Sequence, residues 1–192
     1  MTTRAIIFDC FGVLYHGSTG ALLQSVHPDK QQHLHDAIRS FDYGYLSRDD
    51  FLAYVSELTG LTIDKIVAIR QARHVRNDVL VNELRRLKRT YKIGLLSNVG
   101  RDSLRGELFT DDEIAEFFDA MVLSSDVHII KPDPAIFELM AARLGVLPEE
   151  CIMIDDLEQN ISGAAQAGMS GIVFASNEQF TSELASLLKG AS

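Results

Sequence analysis

Cysteine is scarce in this chain: only Cys10 and Cys151 occur among 192 residues. Both sit at the edges of apolar runs and lack the close spacing of a zinc site, so a disulfide framework is excluded and reduced thiols in a cytoplasmic protein are expected. Positive charge is in the minority, with 18 Lys and Arg against 27 Asp and Glu and a formal net charge of −9. The densest basic patch, Arg85, Arg86, Lys88 and Arg89, is interrupted and reads as a solvated helix face. No electrostatic footprint for nucleic acid or a membrane surface is present, and neither is expected as a partner. Long apolar runs are also missing. The few apolar residues before Asp9 in MTTRAIIFDCFG are too short for a signal-peptide core, and no later segment approaches the roughly 18 residues a membrane span requires. There are no internal repeats and no low-complexity segments.

What remains is an ordinary globular composition, 46% hydrophobic and 23% charged, in a chain long enough to bury a core without disulfide or metal. Five brief apolar runs stand out: Ala5 to Phe8, Ile93 to Leu96, Met121 to Leu123, Ile152 to Ile154 and Gly171 to Phe174. Their lack of strict alternation fits strands buried on both faces. Helical patterns separate the later runs, at Val79 to Thr90, Pro134 to Leu144 and Asn160 to Ala167. This alternation predicts an α/β fold, a doubly wound parallel sheet whose ligands gather outside the carboxyl ends of the strands.

The stretch from Tyr15 to Asn77 departs from that rhythm. It holds three amphipathic segments, Asp29 to Phe41, Ser47 to Leu58 and Thr62 to Arg76, with Ser47 and Asp50 resembling an acidic capping box and Gly60 a helix stop. A small inserted helical cap over residues 15–77 is therefore expected, with residues 1–14 and 78–192 forming the core. An insertion at that point stands above the ligand crevice.

Each strand end carries a polar residue the apolar run does not explain. Asp9 follows the first run, Ser97 and Asn98 the second, Asp155 and Asp156 the fourth, and Lys131 precedes the Pro132-Asp133-Pro134 turn. Singly, each has an ordinary account as a turn former, a helix cap or a solvated lysine. Jointly they imply more. Three carboxylates in one partly dehydrated crevice must protonate or recruit a cation, and an all-oxygen donor set suits Mg²⁺. A lysine and a serine hydroxyl beside it complete a clamp for a phosphoryl group.

In these residues the sequence resembles the haloacid dehalogenase-like hydrolase superfamily. Four ordered motifs carry the resemblance: Asp9-Cys10-Phe11-Gly12-Val13-Leu14; Leu95-Leu96-Ser97-Asn98; Lys131-Pro132-Asp133-Pro134; and Ile154-Asp155-Asp156, followed by Asn160 and Ala164-Ala165-Gln166-Ala167-Gly168. It implies a Rossmann-like core with an early cap and a Mg²⁺-dependent phosphatase acting on a small phosphorylated metabolite. Asp9 would be the nucleophile, Ser97 and Asn98 would contact the phosphoryl group, and Lys131 would offset charge. Mg²⁺ would be held by Asp9, the backbone carbonyl of Phe11 and Asp156, with Asp155 close by.

One position departs from the family's phosphatase pattern. Two residues after the nucleophile, where such enzymes carry a proton-transferring aspartate, this chain has Phe11. General acid–base help contributes about 10²- to 10⁴-fold in rate, or about 3–5 kcal/mol, so a substitute is needed; His16 and, more remotely, His27 are the candidates. Sugar-phosphate phosphatases lacking that aspartate form one related branch. The same departure keeps two rivals open. A metal-independent 2-haloacid dehalogenase also has an aromatic residue there, with Arg39 available for a halide or carboxylate, although the Asp155-Asp156 pair would then lie uncompensated beside an anionic substrate. A catalytically impaired binding protein is the other. A response-regulator receiver is disfavoured because its acidic pair comes first in the chain, whereas here it comes last.

Overall fold

The computed structural model describes residues 2–15, 19–71, 74–98, 104 and 108–190. Five strands, β1 (Ala5–Phe8), β2 (Lys92–Ser97), β3 (Ala120–Leu123), β4 (Cys151–Asp155) and β5 (Ser170–Val173), form one parallel sheet in the order β3-β2-β1-β4-β5. The chain builds outward from β1 to β3, then returns to the other side of β1 for β4 and β5. This reversal opens a crevice at the carboxyl ends of the central strands. All five strands lie where the sequence predicts them, within a residue or two.

The two-residue side-chain period shows directly in β1. Ile6 and Phe8 join one apolar cluster with Ile93, Leu95, Ile152 and Ile154, whereas Ala5 and Ile7 join another with Leu96, Val122 and Met153. Both faces are thus buried, which is why the sequence shows short continuous apolar runs rather than alternation. On the first face lie α5 (Asp78–Leu87), α6 (Asp111–Phe117) and α10 (Asn177–Gly190); on the second lie α8 (Pro134–Leu144) and α9 (Glu158–Gln166). The short α7 (Ser124–Val127) follows β3 directly.

The expected helical segments between β1 and α5 are α2 (Gln31–Asp42), α3 (Arg48–Thr59) and α4 (Ile63–Gln71), preceded by α1 (Thr19–Gln24), which the sequence reading did not separate. The Ser47 hydroxyl accepts from the Asp50 amide at 3.1 Å, and Gly60 ends α3 with φ of 73°. These helices own a third apolar cluster, built from residues such as Leu34, Phe41, Phe51, Val55 and Ile66. At its base the Asn77 amide donates to the Leu14 carbonyl at 2.9 Å, so the chain leaves and re-enters the sheet side by side. Cys10 and Cys151 are free and buried. Among the described residues no helix is long and apolar enough to cross a membrane.

Candidate active site

The crevice is a cavity of about 770 Å³ between the carboxyl ends of the strands and the helical insertion. From the sheet side it is lined by Asp9, Phe11, Gly12, Ser97, Asn98, Lys131, Asp156 and Asn160. Of the strand-end polar residues and Lys131 singled out in the sequence, Asp155 alone does not line it. The structure brings all of them to one end of the sheet because Asp9, Ser97 and Asp155 end or follow adjacent parallel strands.

Lys131 is not a solvated lysine. It is buried, and its ammonium lies 2.8 Å from Asp9 Oδ1 and 2.6 Å from Asp155 Oδ2. Burial alone would lower its pKa, but the two carboxylates outweigh that and raise it, so the ammonium stays charged. Asn98 secures this lysine's backbone: its Oδ1 accepts from the Lys131 amide at 2.9 Å and its Nδ2 donates to the Lys131 carbonyl at 3.2 Å. The Lys131–Pro132 peptide is cis. The Asn98 amide thus engages protein backbone rather than projecting free into the cavity.

Asp9 Oδ1 also accepts the Cys10 amide at 2.7 Å. Burial pushes its carboxyl up to about 6, with Lys131 opposing and Asp155 adding to the rise. Asp155 is fully buried and spends its oxygens on the protein: Lys131 Nζ, the Leu157 amide at 2.9 Å and Asn160 Nδ2 at 2.8 Å. Asp156 is the exposed member of the pair and faces the cavity. Burial of its carboxyl, then the charge of Asp155, raises its pKa.

Two observations bear on a cation. Asp9, Asp155 and Asp156 each place a carboxylate oxygen within 4.8 Å of the others, with one lysine against three carboxyl groups. Asn160 Oδ1 is buried at the cavity wall with no hydrogen-bond partner, an acceptor that a water on a hydrated ion would satisfy. The donor set therefore fits Mg²⁺. The approach of the β1 loop to Asp156 depends on Gly12. It adopts φ of 84°, and a Cβ there would lie 2.3 Å from the Asp156 carboxyl carbon.

Phe11 points its ring at the cavity wall, 5.6 Å from the His74 ring. Of the two histidines suggested as its substitute, His16 lies outside the described residues. His27 does not fit: it is exposed, pairs with Asp29 at 3.3 Å and does not line the cavity. The opposite wall, from the insertion, carries groups the sequence reading largely missed: His35, Asp42 and Arg70, beside the anticipated Arg39. Asp42 had left a signal. It is the last residue of α2, where a carboxylate meets the negative end of the helix dipole.

The sequence pattern of the haloacid dehalogenase-like hydrolases matches residues 3–168. Over 185 residues the chain is 27% identical to the pyrophosphatase PpaX of Bacillus cereus, covering 88% of this chain and 81% of that protein. Among solved structures, a HAD family enzyme of Bacteroides thetaiotaomicron aligns with a TM-score of 0.81 at 21% identity, over 96% of this chain and 99% of that one. The L-2-haloacid dehalogenase of Xanthobacter autotrophicus aligns with a TM-score of 0.60 at 20% identity, over 96% and 83% of the two chains. With the parallel sheet, the ordered motifs and this match over most of its length, the chain belongs to the haloacid dehalogenase-like hydrolase family.

Proposed function

We propose that this hydrolase is a Mg²⁺-dependent phosphohydrolase that cleaves a small phosphorylated metabolite through an aspartyl-phosphate on Asp9. The observation that carries this reading is the arrangement of Asp9, Lys131 and Asp156 around one cavity. A carboxylate nucleophile is held by an ammonium at 2.8 Å, and further carboxyl oxygens lie close enough to share a cation. The relatives named pyrophosphatase, and a Bacteroides thetaiotaomicron HAD family enzyme crystallised with magnesium and inorganic phosphate, support phosphoryl chemistry.

In this mechanism the Asp9 carboxylate attacks phosphorus, the bond to the leaving oxygen breaks, and water later releases inorganic phosphate from Asp9. Lys131 holds the nucleophile's Oδ1 and offsets its charge. Ser97, buried at the end of β2, offers its hydroxyl to a phosphoryl oxygen, and Asn98 acts by fixing the Lys131 backbone. Asp9, the Phe11 carbonyl and Asp156 would hold Mg²⁺, while Asp155 orients Lys131 and Asn160 behind them. The ion, when bound, neutralises charge on the phosphoryl oxygens. The helices over residues 19–71 serve as the cap, closing the cavity opposite the sheet.

Phe11 and the cavity-lining Arg39 favour one second reading, metal-independent dehalogenation. A panel of phosphomonoesters and pyrophosphate, with and without Mg²⁺ and beside Asp9→Asn, separates the two. Phosphate release that needs both Mg²⁺ and Asp9 is expected. Halide release from a 2-haloacid in the presence of chelator would replace this function with the second, and silence on every substrate from a folded protein would leave a binding role.

A further inference from the structure

Phe11 removes the carboxyl group that would serve the leaving oxygen, and the sheet side of the cavity offers no replacement among its described residues. Ser97 and Asn98 do not titrate near neutrality, Lys131 is locked as a cation between two carboxylates, and Asp9 and Asp156 belong to the phosphoryl and cation side. Among the described residues, the titratable groups left on the cavity wall belong to the cap: His35, Asp36 and Asp42. The geometry points to Asp42 as the proton-transfer residue of this active site, a carboxylic acid delivered from the cap rather than from the loop after β1. This inference rests on the phosphohydrolase reading above.

Three features hold Asp42 in place. It ends α2 directly after Phe41, whose ring stacks on Phe51 at 4.7 Å inside the cap's apolar cluster. Its backbone carbonyl accepts the Ser124 hydroxyl, which ties the end of α2 to the segment following β3. Two residues on, Gly44 at φ of 75° packs so closely that a Cβ would lie 2.7 Å from the Ser125 carbonyl oxygen. Asp42 is thus fixed to the sheet end and lines the same cavity as Asp9 and Asp156.

Its surroundings favour the protonated acid. The carboxyl stands at the negative end of a helix, and burial pushes its pKa up to about 7, with Arg70 opposing and Asp9 adding to the rise. The charged and titratable groups that share its cavity are Arg70 on α4, Asp9, Lys131 and Asp156 across the cavity, and His35, Asp36 and Arg39 on its own helix. His128 Nδ1 lies 2.8 Å from the adjacent Tyr43 carbonyl. Arg70 is itself seated over the Phe41 and Phe51 rings at 5.5 and 5.4 Å, which holds its charge beside the acid. A group balanced near neutrality can give a proton in one step and take one in the next.

As an Asp9 oxygen bonds to phosphorus, the bond from phosphorus to the leaving oxygen breaks with its electron pair on that oxygen, which takes the proton of Asp42. The Asp42 carboxylate then accepts a proton from the water that attacks phosphorus. The bond from phosphorus to Asp9 breaks, returning its pair to the carboxylate, and both residues end as they began.

The test compares esters that differ in their need for a proton. Asp42→Asn is expected to slow the first step, single-turnover release of the alcohol from an alkyl phosphate, by about 10²-fold or more, yet leave the burst release of 4-nitrophenolate, which departs unprotonated, within about threefold of wild type. The shared hydrolysis of the Asp9 phosphate is expected to slow for both esters. Equal losses in that first step on both esters, or no loss on either, would overturn the proposal while leaving Asp9-dependent turnover intact. Turnover surviving Asp9→Asn, or a wild type inactive on both esters, would overturn the phosphohydrolase reading and this inference with it. Carbon-13 NMR titration of the Asp42 carboxyl, assigned by its loss in Asp42→Asn, gives a readout apart from turnover. Titration near neutrality is expected, and a carboxylate ionised throughout pH 5 to 8 would overturn the assignment.

Discussion

At the scale of single residues, Lys131 shows how a buried charge can serve two carboxylates at once. Removing the ammonium strands Asp9 and Asp155 in a desolvated site, and breaking a buried pair in this way costs about 3–5 kcal/mol. Lys131→Met is therefore expected to lose about that much stability by urea denaturation at pH 7, and part of the loss should return in acid as the carboxyls protonate. Glu113 offers a pH dependence with the opposite origin. The Arg76 guanidinium, bonded to it at 2.5 Å, holds its carboxyl below the usual 4.5. The native state thus binds fewer protons than the unfolded chain on the acid side, so this contribution is complete above pH 4.5 and fades as pH falls through the native value. Glu113→Gln should lower the melting temperature at pH 7, and the gap from wild type should narrow progressively below pH 4.5.

At the scale of elements, the junction between the cap and the sheet depends on few groups. Asn77 caps α5 by accepting from the Leu80 amide at 3.2 Å, donates to the Val13 carbonyl at 3.2 Å, and exchanges amide hydrogen bonds with Asn177 at 2.9 and 3.1 Å. A lost helix cap alone costs about 0.5–2 kcal/mol, and here three further hydrogen bonds go with it. Asn77→Ala is expected at or above the top of that range in equilibrium unfolding. The β1 loop is equally constrained. Gly12→Ala forces a side chain against the Asp156 carboxyl and a non-glycine residue into φ of 84°, a strain of about 1–3 kcal/mol. Weakened Mg²⁺ binding, measured by calorimetry, should accompany the loss of stability.

At the scale of the whole molecule, the cavity joins two separately packed bodies of side chains, the sheet with its flanking helices and the α1–α4 group. An ion bound among carboxylates of the native state alone stabilises the fold by mass action, about 2.7 kcal/mol at a concentration 100 times Kd. For a chain of this size that is about 5–10 °C in melting temperature. Mg²⁺ should raise Tm by that order in wild type and by much less in Asp156→Asn, which keeps the side-chain shape but removes a ligand charge.

The sequence by itself determined the parallel sheet, the inserted helices and the set of polar residues at the strand ends. Strands buried on both faces and helices with capped ends are local patterns, and Ala5 to Phe8 or Pro134 to Leu144 could be read without knowing their neighbours. Only the tertiary structure decided how those polar residues divide their work. Asp155 and Asp156 are adjacent and chemically identical in the chain, yet one is enclosed by Lys131, Leu157 and Asn160 while the other meets the cavity. Asn98 likewise turned out to hold a backbone. The cap wall was the least readable part, because Asp42 and Arg70 reach the cavity through the packing of helices against one another. That packing depends on which faces meet across long stretches of chain, whereas periodicity reports only that each helix has a face to bury.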